Sequence, residues 1–187
     1  MLTRAGMYVV QYSVVPDGPA ASDVEAGIVA LKSRSIPVQD AIEQSLAALA
    51  WLQEQGCQQF FCKYCSTFDS TPQGNIGQVA QALAEKLDAE QIIFCPAFPT
   101  TGRSIFQGHL FVGDQLLSDS PLKDHPLNPM TESDLRKWLA LQTGTEIGHV
   151  VFSDLQKGSD QVRRKMVDEA AAGRHYMIVD AITDEDL

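Results

Sequence analysis

A chain of 187 residues with 44% hydrophobic and 20% charged residues can bury a core of its own and has the composition of an ordinary globular domain. Its formal net charge of -10 excludes a nucleic-acid groove, which needs clustered Lys and Arg. Uninterrupted apolar runs all fall short of the roughly 20 residues of a membrane span, so neither nucleic acid nor membrane is an expected partner.

The opening "MLTRAGMYVVQY" reads as the tail of a helix stopped at Gly6 and then a strand, as though an earlier strand and most of its helix were absent. Short apolar runs follow at residues 26–31 ("AGIVAL"), 59–64 ("QFFCKY"), 91–98 ("QIIFCPAF"), 147–152 ("IGHVVF") and 175–181 ("HYMIVDA"). Their continuous hydrophobicity predicts strands buried on both faces. Between them the period changes to that of helices. Pro37 opens the first, in which Ile42, Leu46 and Leu49 recur until Gly56. Residues 75–87 form the second, with Ile76, Val79, Ala80 and Leu83 on one face. Thr131, followed by Asp134, opens a third that runs to Leu141, and Ser159 or Asp160 opens a fourth that Gly173 closes. Residues 103–117 ("RSIFQGHLFVGDQLL") break the rhythm as a hairpin. The closing "VDAITDEDL" is a strand end followed by the start of a helix that does not continue. The alternation predicts an α/β domain: a mostly parallel sheet with helices on both faces, plus a small hairpin excursion.

In such sheets ligands sit beyond the carboxyl ends of strands, and three polar loops lie there. One carries Lys32, Arg34 and Ser35; the second Lys63, Thr67, Asp69, Ser70, Thr71 and Asn75; the third Thr100, Thr101, Arg103 and Ser104. Guanidinium forks take carboxylates and Asp or Asn take hydroxyls, so the set suits a small anionic polyol. The helix starting near Asn75 would add backbone N–H groups for an anion. Against this, Ser70 and Thr71 can be helix caps, and Arg34 and Arg103 solvated loop charges. Cys62 and Cys65 form a Cys-x-x-Cys, but Cys57 and Cys95 are singletons on other elements, which makes no four-ligand zinc set. No helix follows them to lower a thiol pKa, so they read as buried, inert thiols of a reducing, cytoplasmic protein, with no metal site. The histidines are scattered, and His125 alone lies in a polar loop.

The stretches "KYCSTFDSTPQGNIG", "PAFPTTGRSIFQGHLFVGDQLL" and "HPLNPMT" resemble the N-terminal domain of the four-carbon acid sugar kinase family, in particular its 3-oxo-tetronate kinase branch. The resemblance runs almost end to end. It implies ATP-dependent phosphorylation of a four-carbon sugar acid at its terminal hydroxyl, with the acid held by this domain and ATP and Mg2+ mainly by a second, C-terminal one. Lys63, Asp69, Ser70, Thr71 and Asn75 match the family's motif, and Arg34 and Arg103 match its other site loops. On that pattern Arg34, Lys63 and Arg103 face the substrate carboxylate and the developing phosphoryl charge. Asp69 and Asn75 face hydroxyls, with Asp69 and Lys63 the catalytic candidates.

The family begins with a strand ending in Asp-Asp-x-Thr-Gly-Ala, and carries a glycine-rich nucleotide domain after this one. The expectation is therefore a substrate-binding domain, inactive by itself, whose open sheet edge promotes self-association into a homo-oligomer. A non-catalytic interaction protein that has kept the fold is the competing expectation.

Overall fold

The computed structural model describes residues 2–187. Pro37, with its fixed φ, precedes the longest helix, α1 (Val38–Glu54), and Ala41, Ser45, Ala48 and Leu49 are buried at spacings of three and four that place them on one face. Nearby, β1 (Val9–Tyr12) and β2 (Ala26–Val29) pair in parallel. The ring of Tyr12 meets Trp51 of α1 edge-on at 4.9 Å between centroids. Two bonds tie the long β1–β2 connection to the end of α1: Trp51 Nε1 donates to Gly18 O at 2.9 Å and Gln55 Oε1 accepts from Ala20 N at 2.8 Å.

The second sheet contains β3 (Ile92–Phe94), β7 (Gly148–Val150) and β8 (Tyr176–Val179), all parallel, in the order β3-β8-β7. Helix α2 (Gly77–Leu87) leads into β3 and α3 (Leu135–Thr143) into β7, while α4 (Phe152–Leu155) and α5 (Ser159–Ala171) form the crossover to β8. The hairpin excursion is an antiparallel sheet of β4 (Arg103–Phe106), β5 (His109–Val112) and β6 (Gln115–Leu116). One core joins these parts, with Phe68, Phe94, Ile105, Leu110, Leu135 and Ile178 fully or almost fully buried. Parallel pairing, crossover helices and the hairpin are as the pattern predicts.

The parallel strands nevertheless lie in two sheets, β1-β2 and β3-β8-β7. Residues 59–64, expected as a buried strand, run without a ladder; Phe61 is 88% exposed and Cys62 is exposed too. A strand is defined by its neighbours' hydrogen bonds, and among the described residues no strand pairs with this segment. Burial of Cys62 is thus corrected by the structure. Helix α3 begins at Leu135 rather than Thr131, because Asp134 is the residue that caps it, accepting from Arg136 N at 3.1 Å.

A buried carboxylate staples the hairpin to the second sheet. Gln107 and Gly108 form the β4–β5 turn, with φ of 52° and 75°, the left-handed pair that a two-residue hairpin loop requires. Their N–H groups donate to Asp180, Gln107 to Oδ2 and Gly108 to Oδ1, each at 2.9 Å. Phe152 N donates to Oδ2 at 2.9 Å and His149 Nε2 to Oδ1 at 2.8 Å. The imidazole is oriented from behind by Arg136, whose Nη1 lies 3.2 Å from His149 Nδ1 while its Nε and Nη2 fork onto Asp134. A guanidinium has only donors, so Nδ1 accepts and Nε2 carries the proton given to Asp180.

Candidate functional site

The loops after β2 and before α2 enclose, with residues 127–128, a cavity of about 260 Å³. Arg34, Ser35, Thr71, Asn75 and Asn128 supply its polar wall, and Ile36, Pro37, Val38 and Leu127 its apolar one. Asp69 lies behind the guanidinium: Arg34 Nη1 is 3.5 Å from Asp69 Oδ2. The two ends of that pair differ, since the Arg34 side chain is 62% exposed and that of Asp69 only 3%. The carboxylate is held by a short relay in which Thr67 Oγ1 donates to Asp69 Oδ1 at 2.6 Å and therefore accepts from Cys65 Sγ at 2.9 Å. Burial opposes ionisation of Asp69, but the Cys65–Thr67 relay and the charge of Arg34 outweigh it, so its carboxyl sits below the usual range. Asp69 is a buried anion that holds an exposed cation at the cavity.

Asn75 holds the neighbouring loop. Its Nδ2 donates to Ser33 O at 2.7 Å and to Ile36 O at 2.9 Å. Thr71 closes the turn before α2, exchanging backbone bonds with Gly74.

Ser70 turns the other way. It is 1% exposed; its Oγ donates to Phe68 O at 2.9 Å and accepts from Trp138 Nε1 at 3.0 Å and Gln142 Nε2 at 2.9 Å. One donor and two lone pairs are then in use, which leaves no valence for a ligand. The substrate contact expected of Ser70 is not available in this geometry. Gln142 also accepts at Oε1 from Ile76 N at 3.2 Å and Gly77 N at 2.7 Å, so it caps α2 from α3. These N–H groups, expected to be free for an anion, already have a partner. The close crossing explains Gly77, where a Cβ would fall 2.7 Å from Gln142 Cβ. Replacing Ser70 with alanine should cost about 1–3 kcal/mol, because buried donors of Trp138 and Gln142 lose their acceptor. At about 2–4 °C per kcal/mol for a chain of this size, a thermal melt should fall by several degrees while the cavity keeps its charged residues.

The chain has relatives among known proteins. A family model described as "Sugar-binding N-terminal domain" matches residues 1–187. The chain belongs to that family. Proteins named 3-oxo-tetronate kinase from Pseudomonas savastanoi pv. phaseolicola and Escherichia coli K12 are 49% and 44% identical over all of this sugar-binding domain, which spans 44% and 48% of their own lengths. A solved structure from Haemophilus influenzae matches 96% of the domain at 45% identity and TM-score 0.94, over 44% of its own chain. A more distant one from Bordetella bronchiseptica, a domain-swapped dimer with bound citrate, matches 99% at 26% identity and TM-score 0.75, again over 44% of its chain.

Within the sugar-binding domain, two expected site residues stand apart from the cavity. Lys63 is exposed on the unpaired segment and its Nζ donates to Tyr64 O at 3.2 Å. Arg103 begins β4, with Nη1 on Thr101 O and a buried Nε that has no partner among the described residues. Neither lines the cavity. Residues that sequence reasoning left out include Asn128 and Leu127. Both lie in the stretch "HPLNPMT" that carries the family resemblance, where His125 Nδ1 accepts from Leu127 N at 3.3 Å and Asn128 N at 3.0 Å and so shapes the turn. The four cysteines are free, and no cluster of His, Cys, Asp and Glu suited to a metal ion occurs among the described residues.

Proposed function

We propose that this chain is the substrate-holding domain of a two-domain, ATP-dependent kinase that phosphorylates a four-carbon sugar acid of the 3-oxo-tetronate type at its terminal hydroxyl. The observation that carries the reading is the small cavity with Arg34 at its mouth, fixed by Asp69 and walled by hydroxyl and amide groups, in a sugar-binding family member. A volume of about 260 Å³ lies just below the range usual for drug-sized ligands and suits a molecule of a few carbons. Citrate in the Bordetella structure, itself a hydroxy acid anion, belongs to the same chemical class.

Arg34 takes the carboxylate, and Thr71 and Asn75 take hydroxyls. Asp69 orients Arg34 and is the candidate base for the attacking hydroxyl, with Lys63 and Arg103 as cations for the phosphoryl group once the two domains come together. Phosphoryl transfer relies on positioning and charge stabilisation more than on strong bases, so an aspartate with a lowered pKa can serve. The residues of this chain do not fit ATP: the cavity is too small for a nucleotide, and no glycine-rich phosphate loop is present in the sequence. We assign ATP and Mg2+ to the remainder of the length that the relatives carry, and derive no step through them. The same reading puts the protein with metabolic kinases of the cytoplasm. Among the described residues no helix is long and apolar enough to cross a membrane, and the dimeric Bordetella relative makes a homo-oligomer part of the proposal.

Titration calorimetry of the 187-residue chain with 2,3,4-trihydroxybutanoate tests this. Binding is expected, and Arg34→Ala should weaken it about tenfold or more, the effect of losing a charge-assisted hydrogen bond. An unchanged affinity would remove Arg34 from the site.

A further inference from the structure

Asn128 belongs to none of the three polar loops that the strand ends define, yet it lines the cavity and is only 3% exposed. Its backbone is fixed by His125, and its Nδ2 donates to Ser35 Oγ at 3.2 Å, across a sequence separation of 93 residues. Asn75 does the same from the other side, giving its Nδ2 to Ser33 O and Ile36 O. Both carboxamides therefore turn their donor ends to residues 33–36. That leaves each Oδ1 without a hydrogen-bond partner among the described residues, and neither oxygen is sealed from solvent.

On the Asn128 nitrogen one of the two N–H groups is given to Ser35, and the amide oxygen can only accept. It suits a hydroxyl and has nothing to offer a carboxylate, which is itself an acceptor. Arg34, on the same cavity, has the opposite chemistry. The two residues therefore divide the ligand between them, with the acid end at Arg34 and a hydroxyl-bearing carbon at Asn128. Resting on the proposed function above, we infer that Asn128 is a specificity-determining residue. Its Oδ1 accepts a hydroxyl of the sugar acid and selects polyhydroxylated acids over deoxy ones of the same length. Its NH2, through Ser35, keeps the Arg34 loop in the register that this division needs.

The test is calorimetry on the whole chain with two probes, 2,3,4-trihydroxybutanoate and 4-hydroxybutanoate, which share the carboxylate and the terminal hydroxyl. The wild-type chain should prefer the trihydroxy acid about tenfold or more, the scale of one well-made hydrogen bond. Asn128→Ala should reduce that ratio to about twofold or less, because it weakens the trihydroxy acid more than 4-hydroxybutanoate, to which only the loosened Ser35 loop matters. Asn128→Asp keeps the acceptor and adds a charge that repels both anions, so it should weaken both yet retain the ratio. Equal weakening of both acids in Asn128→Ala would make the residue a prop for the Ser35 loop and overturn the inference. So would equal wild-type affinity for the two probes, a result that needs no variant to fold. Binding of neither acid would instead overturn the proposed function, and this inference with it.

Discussion

Asp180→Ala will lower the melting temperature more than any other substitution considered for this domain, by roughly 10 °C. Four groups, the N–H of Gln107, Gly108 and Phe152 and the imidazole of His149, lose their only common acceptor in a site where Asp180 is 0% exposed. Removing one partner of a buried charged network typically costs about 3–5 kcal/mol, and a chain of this size moves about 2–4 °C per kcal/mol. Asp180→Asn should fare little better, since its NH2 would replace an acceptor that now faces two donors. The effect also has a pH signature. Burial raises the Asp180 pKa, but the bonds from His149, Gly108 and Phe152 outweigh it, and the carboxyl sits below its ordinary value of 3.8. A depressed folded pKa means that the stabilisation is complete above the unfolded value and is lost as pH falls through the folded one. The part of the wild type's advantage that rests on the Asp180 charge should therefore be complete above about pH 4 and shrink below it. Melts of the two proteins across that range measure the difference directly. A variant that melts within 2 °C of wild type at neutral pH would mean that the staple is redundant.

Asp69→Asn should separate chemistry from folding. The side chain keeps its shape, Thr67 can still bond to it, and the lost ion pair involves an Arg34 that is mostly solvated and so adds little stability. A change of a few degrees in melting temperature is the expected limit. In a protein that joins this chain to the remaining part of its relatives' length, sugar-acid-dependent ADP release should by contrast fall about a hundredfold or more, the usual contribution of a positioned base. Binding of the acid should change much less, because removing a negative charge near an anion offsets the looser hold on Arg34. A variant that keeps near-normal turnover would reduce Asp69 to an anchor for Arg34 and move the base elsewhere.

Local signals in the sequence located most of the elements. Pro37 and Gly56 bracket α1 closely, and the antiparallel hairpin falls within residues 103–117 as expected. Three of the expected site residues, Arg34, Thr71 and Asn75, do meet at one cavity, with Asp69 directly behind. What pattern could not reveal was the direction in which polar side chains turn. Ser70 and Thr71 are adjacent hydroxyl carriers, yet one is locked inward by Trp138 and Gln142 while the other lines the cavity. Asn128 reaches Ser35 across most of the chain, a contact that no local spacing encodes. The apolar run at residues 59–64 shows the converse limit, because hydrophobicity marks a segment able to pair but says nothing of whether a neighbour is there to pair with.

The double use of Gln142 makes a single nitrogen atom important to the chemical ageing of this protein. One end of its carboxamide must accept from the start of α2 and the other must donate to Ser70, and no charged isostere can do both. Deamidation would turn the donor into a second acceptor facing a hydroxyl whose proton is already given to Phe68 O. The burial that makes this residue a good joint also keeps out the water that deamidation needs, so the joint is protected for as long as it stays closed. Slow loss of ammonia in stored protein would then report on how often α2 and α3 part.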